Sequence, residues 1–205
     1  MELRLPSPEE YRAACRDYRE AFPLVERKSP RAMQKLWEEG KYLPYCFFDG
    51  QDLLGGAFLW VGHPGWRLLD YLFVTAQRRN QHLGGEILRA LREIEGPDTV
   101  IFGEVEVPSA APDPAMAQRR MGFYARNGWR SAGYETRLFS VRFQTLYLAG
   151  EAVADEALIA EHQYIYHRAM GERSYARNIH IPYDPAADRR KPAREKGAQH
   201  EDPGL

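Results

Sequence analysis

The sequence predicts an α/β protein of the α+β type: a mixed, mostly antiparallel central sheet with helices on both faces. Three observations carry that reading. Two capped helical segments open the chain, and three strands joined by short turns follow them. Residues 70–91, DYLFVTAQRRNQHLGGEILRAL, then run as strand, basic turn and helix, and a further strand closes a βαβ unit. Hairpin-linked strands are antiparallel, so the βαβ pair is the parallel one.

The elements are justified in order. Ser7-Pro8-Glu9-Glu10 has the form of a capping box, with Ser7 as N-cap, Pro8 at the first helical position and Glu10 able to reach back, so a helix to about Phe22 is expected. Ser29-Pro30 repeats the start signal, and Met33, Leu36 and Trp37 share one face until Gly40. Residues 42–48 and 53–61 read as a strand pair turning through Asp49-Gly50, and after His63-Pro64-Gly65 residues 66–74 form the third strand. In the next helix Leu83, Ile87, Leu88, Leu91 and Ile94 fall on one stripe until Gly96-Pro97. Residues 99–107, TVIFGEVEV, are the parallel strand. Asp113 caps a helix beginning at Pro114, which ends at Asn127-Gly128-Trp129. Residues 137–148 read as one last long strand with 129–134 beside it, and 153–170 as a helix with Leu158, Ile165, Tyr166 and Ala169 inward.

Composition narrows the classes of function. A chain of 205 residues, 44% apolar and with formal net charge −1, suits one domain with a real core, and a near-neutral balance argues against general nucleic-acid binding. No apolar run reaches the ~18 residues that a membrane span requires, and the acidic start Met1-Glu2-Leu3 is unlike a signal peptide, so a cytoplasmic protein is expected. Cys15 and Cys46 lack metal-ligand spacing and read as buried free thiols. From residue 184 to 205 no apolar periodicity remains, and a disordered charged tail is expected, with Arg189-Arg190-Lys191 as solvated charge.

The turn before the third helix is built to seat an anion. The first N–H groups of a helix have no intrahelical partners and carry the positive end of its dipole; Gly84 and Gly85 leave them uncovered, and Arg78 and Arg79 stand beside them. On strand 99–107, alternation puts Val100, Phe102, Glu104 and Glu106 on one face, which therefore starts apolar and ends in two carboxylates near the strand's C-terminal end. Such carboxylates suit proton abstraction, and they equally suit a strand end emerging into solvent. Arg119-Arg120, at the start of their helix, read as solvated charge.

The run Arg79-Asn80-Gln81-His82-Leu83-Gly84 resembles the Q/R-x-x-G-x-G/A pyrophosphate turn of the GNAT superfamily, the acyl-CoA-dependent N-acyltransferases. His82 stands where that pattern has its first Gly, and Gly84 matches its second. Phe123-Tyr124-Ala125-Arg126-Asn127-Gly128-Trp129 looks like the family's F-Y-x-x-x-G-F signature, and the order of elements over about residues 1–150 is that of the GNAT fold. The resemblance implies a splayed parallel pair of strands at the acyl-CoA site and acetyl-CoA as co-substrate, with no metal. It implies that Leu72, Phe73 and Val74 line the pantetheine arm and that Arg79, Asn80, Gln81, His82, Leu83, Gly84 and Gly85 hold the phosphates. Glu104 would be the general base, Tyr124 the general acid, and Glu106 would share the base role or hold a cationic acceptor; an N–H near Phe73 or Val74 would take the oxyanion. The domain would span 1–183, including a C-terminal helical extension over about 151–183.

The expected activity is therefore acetyl transfer to a primary amine of a small molecule or peptide, by a monomer or homodimer without nucleic-acid or membrane partners. The acceptor side would come from residues 22–37 and 153–183, where His162, Tyr164, Tyr166, His167, Tyr175 and His180 also suit an aromatic helix face packed on the sheet. The rival is a non-catalytic acyl-CoA-binding sensor or scaffold.

Overall fold

The computed structural model describes residues 1–187. Most of the expected charged tail, with Arg189, Arg190 and Lys191, lies outside the described residues. Strand β1 (Glu2–Arg4) leads into helix α1 (Pro8–Ala21), whose capping box is complete: Glu10 N–H donates to Ser7 Oγ at 3.3 Å and Ser7 N–H to Glu10 Oε2 at 2.6 Å. Helix α2 (Pro30–Glu38) starts at the second Ser-Pro, although the Ser29 side chain makes no cap bond there. Strands β2 (Tyr42–Asp49), β3 (Asp52–Val61) and β4 (Trp66–Val74) follow, then α3 (Leu83–Glu95), β5 (Val100–Glu106) and α4 (Pro114–Arg126). Asp113 caps α4 as its sequence position requires, accepting from Met116 N–H at 2.9 Å.

The expectation of one long strand over 137–148 is corrected. The chain makes a hairpin of β6 (Arg130–Leu138) and β7 (Val141–Leu148), turning at Phe139 and Ser140. Phe139 takes the left-handed φ of 56° with its ring exposed, so the turn carries none of the Gly, Asn or Pro that would mark it in sequence. Its N–H donates to Asn178 O at 2.6 Å, a partner 39 positions away. After α5 (Asp155–Met170) and α6 (Glu172–Asn178), strand β8 (Ile179–His180) pairs with β6, so the C-terminal segment supplies sheet as well as helix. Ala169, expected inward on α5, is exposed.

Among the described residues eight strands lie in the order β1-β2-β3-β4-β5-β7-β6-β8, with β4 and β5 parallel. Each face of the sheet buries its own core. Tyr18 and Met33 from α1 and α2, with Leu158 and Ile165 from α5, cover Tyr42, Phe58, Leu68 and Phe102; on the other face Ile87 and Leu91 of α3 cover Leu59, Leu69 and Ile101. Each of these large side chains contributes about 1.5–3 kcal/mol of burial, which sets the helix stripes read in the sequence against the sheet. Cys15 and Cys46 are buried free thiols, as expected. Among the described residues no helix is long and apolar enough to cross a membrane.

Helix α5 is also pinned by polar contacts. Glu161, 6% exposed at its side chain, accepts from His63 N–H at 2.8 Å and meets His63 Nδ1 at 2.7 Å, tying α5 to the β3–β4 turn. Gly62 leaves the room this needs, since a Cβ there would collide with Glu161 Oε1.

Candidate active site

The two parallel strands separate midway. β4 and β5 pair from Trp66↔Val100 to Leu69↔Gly103; beyond that rung β4 continues against β3 and β5 against β7, so their facing edges part. The parting coincides with a β-bulge: Leu69 pairs with Leu59 and Tyr71 with Phe58, which leaves Asp70 as the extra residue and bends β4. Thr75 N–H donates to Leu54 O on the β3 side. By the alternation of a strand, Leu72 and Val74 therefore turn N–H and C=O to the open edge, whereas Phe73 turns its own toward β3. Of the two positions expected for an oxyanion donor, Phe73 or Val74, Phe73 turns its N–H away from the open edge, and its ring is buried against Phe58.

At the end of this edge the chain turns into α3. His82, the N-cap, has φ 59° and ψ 8°, and Asn80 also has a positive φ of 63°. His82 thus does with a left-handed backbone what the pattern's Gly would do freely, at ~1–2 kcal/mol of strain, while its imidazole lies exposed. Gly84 and Gly85 let α4 close in: a Cβ at Gly84 would stand 3.2 Å from the Phe123 ring, and one at Gly85 2.9 Å from Asn127 Oδ1. Between the two helices runs a groove of about 900 Å³, bordered by Val74, His82, Gly84, Gly85, Phe123 and Asn127. Arg78, Arg79, Arg89, Arg92 and Arg126 add their charge to its walls. Asn80 and Leu83 also line it; Gln81, exposed on the turn, and Leu72, half-buried along the strand, do not.

Glu104 and Glu106 occupy the predicted face of β5 and differ in their surroundings. Glu106 Oε2 meets Arg120 Nη1 at 3.2 Å, so Arg120 is paired rather than simply solvated, as the sequence suggested; Arg119 remains exposed. Glu104 is 12% exposed at its side chain; its Oε1 accepts from Thr136 Oγ1 at 3.2 Å and meets His162 Nε2 at 2.9 Å, and its Oε2 accepts from the Tyr166 hydroxyl at 2.7 Å. His162 is fully buried and its Nδ1 lies 3.2 Å from the Tyr134 hydroxyl. Burial pushes the phenols of Tyr134 and Tyr166 above their ordinary range, and the Glu104 charge adds to this, so both stay protonated donors. Sequence reasoning did not join Thr136, Tyr134, His162 and Tyr166 to Glu104. The signal available was the i, i+4 spacing of His162 and Tyr166 on α5, but nothing local says that α5 docks over β5.

Tyr124 stands on the α3/α4 side, with its ring 5.0 Å from Trp129 and 5.2 Å from Phe123. Burial raises its phenol to about 12. Beside Glu104, across the β4–β5 opening, Asp70 is held by Lys28 Nζ at 2.7 Å and the Tyr42 hydroxyl at 2.6 Å.

No family model matches the chain. A curated relative, YjbC of Bacillus subtilis (strain 168), assigned as an acetyltransferase, is 24% identical over 147 residues, which is 68% of this chain and 72% of that protein. A solved structure from Bacteroides thetaiotaomicron, assigned to the GNAT family of acetyltransferases, superposes with a TM-score of 0.72 at 17% identity, covering 84% of this chain and 100% of that one. An aminoglycoside 6'-N-acetyltransferase solved with coenzyme A superposes with a TM-score of 0.58 at 12% identity, covering 75% and 99%. With its splayed parallel pair and these likenesses, the chain has the fold of the GNAT acetyltransferases.

Proposed function

We propose that this protein is an N-acetyltransferase that moves the acetyl group of acetyl-CoA to a primary amine, with Glu104 as general base and Tyr124 as general acid. The observation that carries the reading is Glu104's position. It is a nearly buried carboxylate on the first rung past the last β4–β5 pair, where a strand edge with free amides opens.

The residues present fit the co-substrate. The N–H groups at the start of α3 and the surrounding arginines suit a pyrophosphate, and the open edge at Leu72 and Val74 suits the amides of a pantetheine arm. Acetyl-CoA supplies an activated thioester, and CoA is bound in one of the structures of like fold.

The chain's own groups then divide the work. Glu104 takes the proton of the acceptor amine as its nitrogen bonds to the acetyl carbon; Val74 N–H, on the open edge, faces the developing oxyanion. As the carbon–sulfur bond breaks, Tyr124, which keeps its proton at neutral pH, donates to the leaving sulfur. Glu106, already engaged with Arg120, has the lesser claim on the proton.

The test is release of free CoA thiol from acetyl-CoA with a panel of primary amines, run on the wild type and on Glu104→Gln. Amine-dependent release that falls about 10²-fold or more in Glu104→Gln is the expected result. Tight CoA binding with no release for any amine overturns the reading in favour of a binding module.

A further inference from the structure

Glu104 is held by more donors than a solvent-facing base requires, and the arrangement has a direction. Oε1 accepts from both Thr136 and His162, which fills its two lone-pair positions; Oε2 accepts from Tyr166 alone and keeps one free. A proton arriving from an acceptor amine can therefore land on Oε2 and not on Oε1.

The tautomer of His162 follows from its neighbours. A carboxylate at Nε2 calls for a donor there, so Nε2 carries the hydrogen, and Nδ1 is left to accept from the Tyr134 hydroxyl, whose proton burial retains. The imidazole is fully buried and set against Phe102, its ring 5.0 Å away at 72°. Tyr134 O–H, His162 and Glu104 thus form one chain of hydrogen bonds running in one sense.

We infer that His162, oriented by Tyr134, is the positioning residue of the reaction: its Nε2–H occupies Oε1 of Glu104 and directs the free lone pair of Oε2 to the amine. The inference rests on Glu104 being the base. A hydrogen bond donated to a carboxylate favours its charged form over its protonated one. The other charged and titratable groups facing the pair leave this role to His162. Asp70 across the opening bears a negative charge, compensated by Lys28, with Tyr71 and Tyr166 beside it; Asp155, at the start of α5, is held by Gly133 N–H at 3.0 Å. None of these presents a positive charge to Glu104.

The experiment is the pH profile of kcat/KM for acetyl transfer to an amine that the wild type accepts, in His162→Phe, His162→Gln, Tyr134→Phe and the double variant His162→Phe/Tyr134→Phe. Removing the donor lets Glu104 protonate more readily, so His162→Phe moves the acidic limb up by about one pH unit. His162→Gln, whose side-chain amide can donate in the same place, brings it back most of the way. Tyr134→Phe moves it in the same direction by less, and the double variant goes no further than His162→Phe, because the two act in series. KM for acetyl-CoA stays at its wild-type value throughout, since the groove lies on the other face of the sheet.

An acidic limb unmoved in both His162→Phe and Tyr134→Phe overturns the inference. If His162→Phe does not fold, Tyr134→Phe decides alone: an upward shift supports the inference and an unmoved limb overturns it. Glu104→Gln run alongside separates the two levels. Loss of the acidic limb in that variant, with none of the others moving it, leaves the base standing and removes His162 from its positioning role. Retention of the limb in Glu104→Gln removes the base itself.

Discussion

Asp70 and Glu104 stand level with each other on adjacent parallel strands, one step beyond the last paired rung, Leu69↔Gly103. Two carboxylates facing across an opening repel, and the structure answers each differently. Asp70 has an ammonium, Lys28, which also lies 5.6 Å from the Trp60 ring centre and 5.1 Å from that of Tyr71. Glu104 has Thr136, His162 and Tyr166 around it instead. The Asp70 charge beside Glu104 is thereby compensated by Lys28.

Lys28→Met leaves the nearly buried Asp70 without its counter-charge and should cost about 2 kcal/mol in urea unfolding; Asp70→Asn leaves only Lys28, 37% exposed at its side chain, and should cost less. The double variant should cost less than the sum by about 1 kcal/mol. Strict additivity would mean the pair contributes nothing as a pair.

His82 gives a prediction of opposite sign. Its left-handed backbone is what the turn requires, so His82→Gly should stabilise the fold by about 1 kcal/mol, while the β-branched His82→Val should destabilise it by at least as much. Chemical denaturation checks both. A destabilised His82→Gly would mean that the imidazole makes a contact outweighing the strain.

Glu10 supplies a pH dependence. The Arg4 guanidinium, bonded to both its oxygens at 2.6 and 2.9 Å, and then the Ser7 N–H hold its carboxyl down at about 2, from an ordinary 4.5. A carboxyl depressed on folding adds stability that is whole above its unfolded value and is lost as pH falls through its folded one. Glu10→Gln should therefore be less stable than the wild type by about 1 kcal/mol at pH 7, and the difference should shrink below pH 4.5 and vanish near pH 2. A constant difference across that range would place the effect elsewhere.

Tyr124 can be separated from binding. Tyr124→Phe keeps the ring contacts to Phe123 and Trp129 and removes only the hydroxyl, so KM for acetyl-CoA should hold while kcat falls about 10- to 100-fold. An equal rise in KM would mark the phenol as a binding group.

How far the sequence spoke for itself depends on the range of the interaction. Caps at Ser7 and Asp113, the stripe of α3 and the alternation of β5 are set by residues a few positions apart, and all were legible. The Phe139 turn was not, because its stabilising bond goes to Asn178. The same limit applies to the candidate site: the place of Glu104 on β5 was legible, but Thr136, His162 and Tyr166 reach it from 32, 58 and 62 positions away. The bulge at Asp70 leaves no local mark, and with it went the edge directions of Leu72, Phe73 and Val74.

The parting of β4 and β5 leaves an eight-stranded sheet incomplete at its centre. Backbone groups of Leu72 and Val74 that in a closed sheet would belong to the next strand are held ready for something else. A molecule that lies along this gap acts as a temporary ninth strand and is counted in the stability of the fold. At a hundredfold excess over its Kd it would add about 2.7 kcal/mol. Melting temperature then becomes a measure of ligand concentration, and any amide-bearing compound that raises it can be sorted by whether it completes the sheet.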